Sequence, residues 1–504
     1  MPRSNLLTRR SLLRAAGGFA AVGLLAACGG ATESAAPTTG AAAAKPTTAA
    51  AAGAATTAPA AAAPTTAAAG AVAKPTTPAA APAAPAKAGQ VEIITHDWLQ
   101  DPKDEFYGPF WKSFEDKHPN IKVTRQWFPR DDMHTKELAL AATGQIGDTA
   151  RINVAVLTPE LQAKGVLQSL DQFINKDTAW KDNDQKQFFP GNIANYTIEG
   201  KQWGFPVVGH RGCVQYYMNT DMLSKTGAKM PAAENGYKWT IDDAVALFKA
   251  GTKTGADGRV SVYGLQSCLG GEGTVGVLRS FGGNYYNEEG TKVLVNTPES
   301  IAGLQWLADL FQKHKVEVPL ESKPDPAQLF PGQNIAAFVS TSGQSGNMKR
   351  LVADKFKWTI VPPPIGPTGK FETQVSSDGV GLTKASKHPE EAWEVIKAYA
   401  GKDHGLNRNL AGLGSPGSRY DVWTAPEFKE KSPELATIIY PTLIDPDKAP
   451  PLKPWNHPAN ARYFESDNAI NNILTDVFLG KKSAADGANE AFKAAQPILD
   501  KPLP

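Results

Sequence analysis

The sequence predicts an α/β fold in two lobes, preceded by an export signal and a linker. From Val91 onward, short apolar runs of strand type alternate with amphipathic runs of helix type, the pattern of α/β proteins. Residues 203–208 and 213–218 form two extended runs joined by a bend between Gly209 and Gly212, where glycine permits unusual backbone angles. A chain that leaves one sheet through such a bend and enters another is typical of a hinge between lobes.

The length, composition and charge of the chain limit the number of domains and the classes of function. The chain has 504 residues, which at roughly 150 residues per domain predicts two to three domains. Hydrophobic residues make up 41%, enough for a sizeable core, and the formal net charge is +2. So small a charge gives no support to nucleic-acid binding, for which a basic surface is expected.

The first residues predict an export signal rather than part of the fold. Arg3, Arg9, Arg10 and Arg14 precede a short apolar run, and Leu-Ala-Ala stands before Cys28. The run is too short to span a bilayer, which needs about 20 residues. The arginine pair resembles a twin-arginine signal, and Leu-Ala-Ala-Cys resembles a lipoprotein lipobox. The resemblance implies removal of residues 1–27 and lipidation of Cys28; the alternative is an ordinary secretory signal that happens to contain a cysteine.

Residues 28–90 predict a disordered or polyproline-like linker anchored at its lipidated first residue. Residues 29–90 consist almost entirely of Ala, Pro, Thr and Gly, without an aromatic residue or a leucine before Val91. Such a segment buries too little apolar surface to offset the entropy of ordering it, and its prolines interrupt a helix. It would hold a globular part away from a membrane.

The globular part begins with an alternation of strands and helices. The elements predicted before the bend are a strand at 91–95, a helix with Phe106, Phe110 and Phe114 on one face, a strand at 121–128, a helix at 133–142 and a strand at 152–157. Beyond the bend come a helix capped by Thr240, a helix begun by Thr297, a strand at 334–340 and a second crossing strand at 375–382. A helix after Pro389, predicted to bury Ala392, Val395, Ile396 and Tyr399, and a helix around Ile470 follow. Residues 271–276 match Gly-x-Gly-x-x-Gly, but the acids near the spacing that a dinucleotide site needs, Glu288 and Glu289, lie in a turn-like segment. Residues 271–276 are therefore predicted to form a flexible loop at the cleft rim.

Several motifs resemble those of family 1 bacterial extracellular solute-binding proteins, the maltose-binding-like group. These are residues 200–206 (Gly-Lys-Gln-Trp-Gly-Phe-Pro), 114–123, 141–148, 164–171 and 384–393. Departures are Trp203 and Gly147, where the family has Tyr and Pro, and Met218, which interrupts a Tyr-Asn pair. The resemblance implies a type II periplasmic-binding-protein fold, with lobe 1 at 91–208 plus 379–415 and lobe 2 at 209–378 plus 416–504. Hinges are expected at about 207–212, 375–380 and 412–420.

Candidate ligand contacts are aromatic and polar residues at strand ends and crossings, where open α/β sheets place their ligands. Tryptophans in predicted loops (Trp98, Trp203, Trp423, Trp455) are the main signal, because indole stacks on the apolar face of a sugar ring. With the resemblance, the predicted set is Asp97, Trp98, Arg130, Asp131, Arg151, Asn153, His210, Arg211, Glu272, Ser342, Gln344, Asp378, Trp455 and Tyr463. Each of them could equally serve the core or the surface.

Catalytic and metal-binding signatures are missing from the sequence. There is no His-Glu-x-x-His, and Asn347 replaces the glycine that a Gly-x-Ser-x-Gly elbow would need around Ser345. No catalytic residue, metal or cofactor is therefore predicted. Cys213 and Cys268 could form a disulfide or be small buried residues.

The resulting hypothesis is an extracytoplasmic substrate-binding lipoprotein of an ABC importer. It would be a monomer, held at the outer face of the cytoplasmic membrane, that captures a carbohydrate and delivers it to the permease subunits. A secreted hydrolase acting on a glycoside or ester is the alternative, because acids distant in sequence can meet in space. A surface adhesin is a third possibility, suggested by the linker alone.

Overall fold

The structure is a computed structural model that describes residues 89–98, 103–211, 214–322, 325–373, 375–448 and 460–502. Its strands are β1 Val91–Trp98, β2 Ile121–Phe128, β3 Thr149–Ile152, β4 Thr197–Ile198, β5 Lys201–Gln202, β6 Phe205–Arg211, β7 Val214–Asn219, β8 Lys253–Thr254, β9 Val260–Val262, β10 Ala337–Thr341, β11 Trp358–Val361 and β12 Val375–Leu382.

Helices surround these strands. They are α1 Tyr107–Lys117, α2 Met133–Ala142, α3 Thr158–Ala163, α4 Asp171–Lys176, α5 Pro190–Ala194, α6 Thr220–Leu223, α7 Ile241–Gly251, α8 Gly271–Ser280, α9 Pro298–Gln312, α10 Pro326–Leu329, α11 Gln344–Val352, α12 Pro389–Ala400, α13 Lys402–Leu410, α14 Tyr420–Trp423, α15 Pro426–Lys431, α16 Tyr463–Phe478 and α17 Ala484–Leu499.

Among the described residues, the two larger sheets form the centres of two lobes. The first has the strand order β2-β1-β3-β12-β6, in which β1 runs parallel to β2 and β3 while β12 is antiparallel to β3 and β6. The second has the order β10-β7-β11, with β10 and β11 both antiparallel to β7. The α/β class and two-lobed architecture predicted from the sequence are confirmed.

Each sheet has its own apolar core. In the first, α1 and α12 pack on the strands, and α12 buries Ala392, Val395, Ile396 and Tyr399, the face that the sequence predicts. Around the second sheet, α7, α9, α16 and α17 contribute to a separate core. Their starts follow local chemistry: Thr240 and Asp243 form a reciprocal capping box at α7, and Thr297 caps α9.

Three sequence-based expectations are wrong in detail. The third strand is Thr149–Ile152 rather than 152–157, because β12 pairs with β3 only over Thr149–Ile152. Helix α1 buries Tyr107, Trp111 and Phe114, so Phe106 and Phe110 lie off its core face. The set Phe106, Phe110 and Phe114 and the set Tyr107, Trp111 and Phe114 both have helical spacing. Packing against the sheet buries the second set.

The glycine-rich run at 271–276 is the third correction, since it begins helix α8 instead of forming a loop. Its glycines serve close packing. A Cβ placed on Gly273 would lie 1.8 Å from the carbonyl oxygen of Cys268, so no larger residue fits there. Cys213 lies outside the described residues, and its pairing with Cys268 stays an open prediction.

Candidate functional site

A cavity of about 330 Å³ lies between the two sheets. The first sheet and the turns after its strands supply Trp98, Arg130, Val154, Val208, Gly209, Ser376, Ser377 and Asp378; the turn after β10 supplies Thr341, Gly343 and Gln344; α13 and the segment after it supply Arg408, Leu413, Gly414 and Ser415. Both lobes therefore contribute residues to the lining of this cavity, which we call the cleft.

The position of the cleft follows from strand direction. Because β1, β2 and β3 are parallel, their carboxyl ends meet at one edge of the sheet. Trp98 is the last residue of β1, Arg130 follows β2, and Asn153 follows β3. Open α/β sheets hold ligands at this edge, where side chains from separate strands converge.

Trp98 lies against two cations. Its side chain is 5% exposed and lines the cleft. The guanidinium carbon of Arg151 lies 4.2 Å from the centre of the Trp98 ring, and that of Arg130 lies 5.5 Å from it. Such cation–π contacts are strengthened when the cation is desolvated, as it is for Arg151, which is 0% exposed. The indole is thus held by a buried cation.

Asp97 secures this arrangement from within the sheet. One carboxylate oxygen accepts from the Trp98 backbone N–H at 2.9 Å, and the other accepts from the Tyr399 hydroxyl at 3.0 Å. The Arg151 Nε lies 3.7 Å from the first of these oxygens. Burial acts to lower the pKa of Arg151, but the neighbouring acidic groups, Asp97 first among them, together raise the pKa above its ordinary value.

The guanidinium of Arg151 makes no hydrogen bond to any residue that the structure describes. Its main contacts are therefore the Asp97 charge and the Trp98 ring, with the Tyr399 ring centre 5.8 Å away. A fully buried cation in this position stabilises the aromatic wall of the cleft without lining the cleft itself.

Arg130 occupies the mouth of the cleft. Its Nε donates to Asn153 Oδ1 at 2.9 Å, and Asn153 Nδ2 donates back to the Arg130 carbonyl at 3.0 Å. Its Nη2 lies 3.6 Å from Asp378 Oδ1, and its side chain is 54% exposed. Burial raises the pKa of Asp378, and Arg130 is the first of the arginines that oppose this rise. Arg130 therefore has both the exposure and the directed donors to meet a ligand.

The segments that connect the lobes meet at Gly209 in β6. Its φ is +105°, and a Cβ there would lie 2.4 Å from the Ser376 carbonyl oxygen of β12. Its N–H donates to the Pro416 carbonyl at 3.1 Å, and its carbonyl accepts from the Ser418 hydroxyl at 2.7 Å. Glycine is required here both by the backbone angle and by the close approach.

His210 connects the two sheets. Its Nε2 lies 2.6 Å from the Ser342 hydroxyl oxygen, and both residues are fully buried. The Ser342 hydroxyl in turn lies 3.4 Å from that of Ser415. On its other side the imidazole packs against Trp423 at 4.6 Å between ring centres. These residues form the floor below the cleft and join β6 to the turn after β10.

The structure brings most of the predicted residues together, in three roles. Trp98, Arg130, Gln344 and Asp378 line the cleft; Asp97, Arg151 and Asn153 support them; His210 and Ser342 connect the sheets. Tyr463 lies elsewhere, buried in the core of the second lobe, with its ring centre 4.8 Å from that of Tyr286.

The remaining predicted positions fall on parts that are not described. Cys28 and Trp455 lie outside the described residues, as do the side chains of Asp131, Arg211 and Glu272. Of the other loop tryptophans, Trp423 is fully buried, and Trp203 packs at half burial with its Nε1 3.4 Å from the Ile198 carbonyl. A tryptophan in a predicted loop is thus only weak evidence for a ligand contact.

Sequence reasoning missed two residues that line the cleft, Arg408 and Ser415. Arg408 lines the cleft at 2% exposure and donates from Nη1 to the Ser415 carbonyl at 3.0 Å. Arg408 precedes the third predicted hinge, and Ser415 lies within it. Phe464, 39% exposed at the start of α16, approaches His134 of α2 at 6.1 Å between ring centres.

The described residues contain neither a membrane-spanning helix nor a cluster of metal-ligating side chains. No helix in this part of the chain has the length and apolar character needed to cross a membrane. Within the same residues, no group of three or more His, Cys, Asp and Glu side chains is arranged to hold a metal ion.

Comparison with known proteins places these features in a family. The model of the bacterial extracellular solute-binding protein family matches residues 96–405, more than half of the chain. An arabinooligosaccharide-binding protein of Bacillus subtilis (strain 168) is 25% identical over 383 residues, covering 71% of this chain and 82% of that protein. A binding protein of Brucella abortus (strain 2308) is 24% identical over 433 residues, with 82% and 95% covered.

Solved structures show the same fold. An ABC substrate-binding protein of Listeria monocytogenes in complex with cycloalternan superposes with a TM-score of 0.67 at 20% identity, covering 81% of this chain and 99% of that one. The family match, the two-lobed fold and a cleft formed by both lobes agree. The chain therefore belongs to the bacterial extracellular solute-binding protein family.

Proposed function

We propose that this protein is the carbohydrate-binding component of an ABC importer, and that its ligand binds in the cleft against Trp98. The observation that carries the proposal is the Trp98 indole at the wall of the cleft. The guanidinium carbon of the buried Arg151 lies 4.2 Å from its ring centre, and hydrogen-bonding groups line the cleft around it. A pyranose presents an apolar C–H face and a rim of hydroxyls, and these two features match an aromatic ring beside polar side chains.

The size and polarity of the cleft support a sugar. Its volume of about 330 Å³ is at the lower end of the range for ligand pockets, roughly 300–1,000 Å³. Arg130 donates, Asp378 accepts, and Gln344 and Ser415 can do both. Relatives named for arabinooligosaccharide binding and a structural neighbour in complex with cycloalternan support the same class of ligand.

Release and capture would occur by bending between the lobes. Strands β6 and β12 are antiparallel neighbours with an irregularity at Asp378/Gly379, and both lead out of the first sheet toward the second. The segment after α13 crosses beside them, where Pro416 and Ser418 contact Gly209. We place lobe 1 at 91–208 plus 379–415 and lobe 2 at 209–378 plus 416–504. Closure around these strands would bring Gln344 toward Trp98 and expel water.

The two cleft carboxylates whose contacts the structure describes favour binding over hydrolysis. A glycosidase needs one carboxylic acid and one carboxylate that both reach the scissile bond. Asp97 is fully buried, and both of its oxygens accept hydrogen bonds from within the protein. Among the described residues, Asp378 is the one acidic side chain that lines the cleft. This arrangement suits a ligand that is held and released unchanged.

A thermal-shift panel of mono- and oligosaccharides, with amino acids and polyamines as other solute classes, tests the ligand. We expect at least one saccharide to raise the midpoint of thermal unfolding, as any ligand that binds the native state must. The same saccharide should reduce the radius of gyration in solution scattering and appear unchanged after incubation. A shift with amino acids or polyamines alone would contradict the carbohydrate assignment, and new reducing ends would favour the hydrolase.

We also propose that the protein is exported through its twin-arginine-like signal and retained by a lipid on Cys28, as a monomer at the outer face of the membrane. The residues that precede Cys28 support this, together with the extracellular family to which the chain belongs. In cells fed an alkyne fatty acid, the protein should carry the label, and a Cys28→Ser variant should not. Retention of label by that variant would refute lipidation at Cys28.

A further inference from the structure

A second concavity of about 690 Å³ lies on the first lobe, between α1 and the corner of α12 and α13. It shares no lining residue with the cleft. Its apolar part comprises Phe106, Pro109, Phe110, Phe114 and Ala398, and its rim comprises Glu105, Ser113, Lys117, His118, Asp184, Glu394, Lys397, Gly401, Lys402, Asp403 and Asn407. We call this surface the α1 groove.

The apolar part of the α1 groove lies at the edge of the first core, where Phe114 is buried and Phe106 and Phe110 are only partly buried. Helix α1 turns Tyr107 and Trp111 into the sheet, which leaves Phe106 and Phe110 half-exposed. Their rings stack with centres 5.8 Å apart and planes at 21°. An aromatic pair one helical turn apart beside a proline forms a row of shallow apolar sites along the helix.

The described chain begins at one end of this groove. The Gln90 side-chain amide donates to the Pro119 carbonyl at 2.8 Å, and the Val91 N–H donates to the Asn120 carbonyl at 2.8 Å. The turn that accepts these bonds directly follows Lys117 and His118, which line the groove. The residues immediately before Gly89 are therefore attached next to the groove.

The sequence of that attached segment matches what an aromatic groove binds. Residues 75–88 contain prolines at 75, 78, 82 and 85, which form two Pro-x-x-Pro units. In a polyproline II helix of three residues per turn, the prolines of each unit lie on the same face. Pro-x-x-Pro segments dock on aromatic-lined grooves at little entropic cost, since the conformation is already extended.

The lengths also agree. At about 3.1 Å per residue, the seven residues 82–88 would span about 20 Å. Helix α1 has 11 residues, or about 16 Å at 1.5 Å per residue. We propose that residues 82–88, the end of this segment nearest the fold, dock along the α1 groove of their own chain. Docking would shorten the linker and fix the direction in which the cleft faces relative to the point of attachment; it does not depend on the proposed function.

Trypsin cleavage after Lys87 tests the docking in the full chain. Lys45 and Lys74 both precede proline, which trypsin does not cut, so Lys87 is the one cleavable site between Arg14 and Lys103. We expect Phe110→Ser to accelerate cleavage at Lys87–Ala88 at least about fivefold, measured as the rate at which a fragment beginning at Ala88 appears in mass spectra. Phe464→Ser, which truncates a half-exposed phenylalanine outside the α1 groove, should leave the rate unchanged.

A second variant tests the docking even if Phe110→Ser disturbs the fold. Pro82→Gly combined with Pro85→Gly leaves the folded part intact and should accelerate the same cleavage. Equal rates in the wild type, Phe110→Ser and the double proline variant would overturn the proposal. Protection that falls on dilution would overturn it too, because it would assign the groove to a second copy of the chain.

Discussion

A Trp98→Ala variant is expected to bind its carbohydrate roughly 30 to 150 times more weakly than the wild type. Removing the indole takes away the apolar area buried under a sugar ring and the directional stacking on it, about 2–3 kcal/mol together. The loss should appear mainly as faster dissociation, measured by titration calorimetry and stopped-flow fluorescence.

Trp203→Ala is the matched control for this change. Trp203 belongs to the same lobe and is half-buried, but it packs against the Ile198 turn and does not line the cleft. It should leave affinity within about twofold of the wild type. Trp98→Phe keeps an aromatic ring and should fall between the wild type and alanine. An alanine variant that binds as tightly as the wild type would show that the ligand does not use this wall.

An Arg151→Met variant is expected to lose about 3–5 kcal/mol of unfolding free energy, measured by urea denaturation. Arg151 and Asp97 are both fully buried with 3.7 Å between Nε and Oδ1, so removing the arginine leaves a carboxylate inside the sheet without its cation. The Trp98 backbone N–H and the Tyr399 hydroxyl remain on that carboxylate, and they offset only part of the cost of burying its charge.

A double variant tests whether the charge pair is the cause. In Arg151→Met combined with Asp97→Asn, no unpaired charge is left, so the loss should be smaller than the sum of the two single losses by at least about 1 kcal/mol. Strict additivity would mean that packing volume, and not the charge, accounts for the effect. Arg130→Met offers a comparison at the same indole: this cation is 54% exposed, and its removal should change stability by less than about 1 kcal/mol.

Patterns local in the chain predicted much of the fold. The limits of β2 and α2 and the buried face of α12 agree with the sequence, because apolar spacing and end signals act within one element. The same local rules failed at α1 and α8. At α1, two sets of aromatic residues had helical spacing, and only one of them is buried. At α8, Gly273 belongs to the run that suggested a loop, and it instead allows the helix to approach Cys268 closely.

The positions of the candidate residues at strand ends were predictable, but their contacts were not. Asp97, Trp98 and Arg130 lie at strand ends, where parallel strands place their functional residues, and the sequence shows where strands end. It could not show that Asp97 points inward to Arg151 and Tyr399, or that Tyr463 packs in a core, because successive residues of a strand face opposite sides and register is set by partners distant in sequence. Arg408 carried no local signal at all.

By itself the sequence determined the α/β class and the polar and aromatic residues available at the strand ends. It placed the end of the first crossing strand at residue 208, whereas β6 continues through Gly209 to Arg211. Tertiary structure alone decided which of the residues at the strand ends face the cleft, which cation supports Trp98, and which aromatic face of α1 remains outside the core. The physical reason is that periodicity and capping are properties of neighbours in the chain, whereas burial, charge pairing and the close approach of strands at Gly209 depend on segments that are distant in the chain.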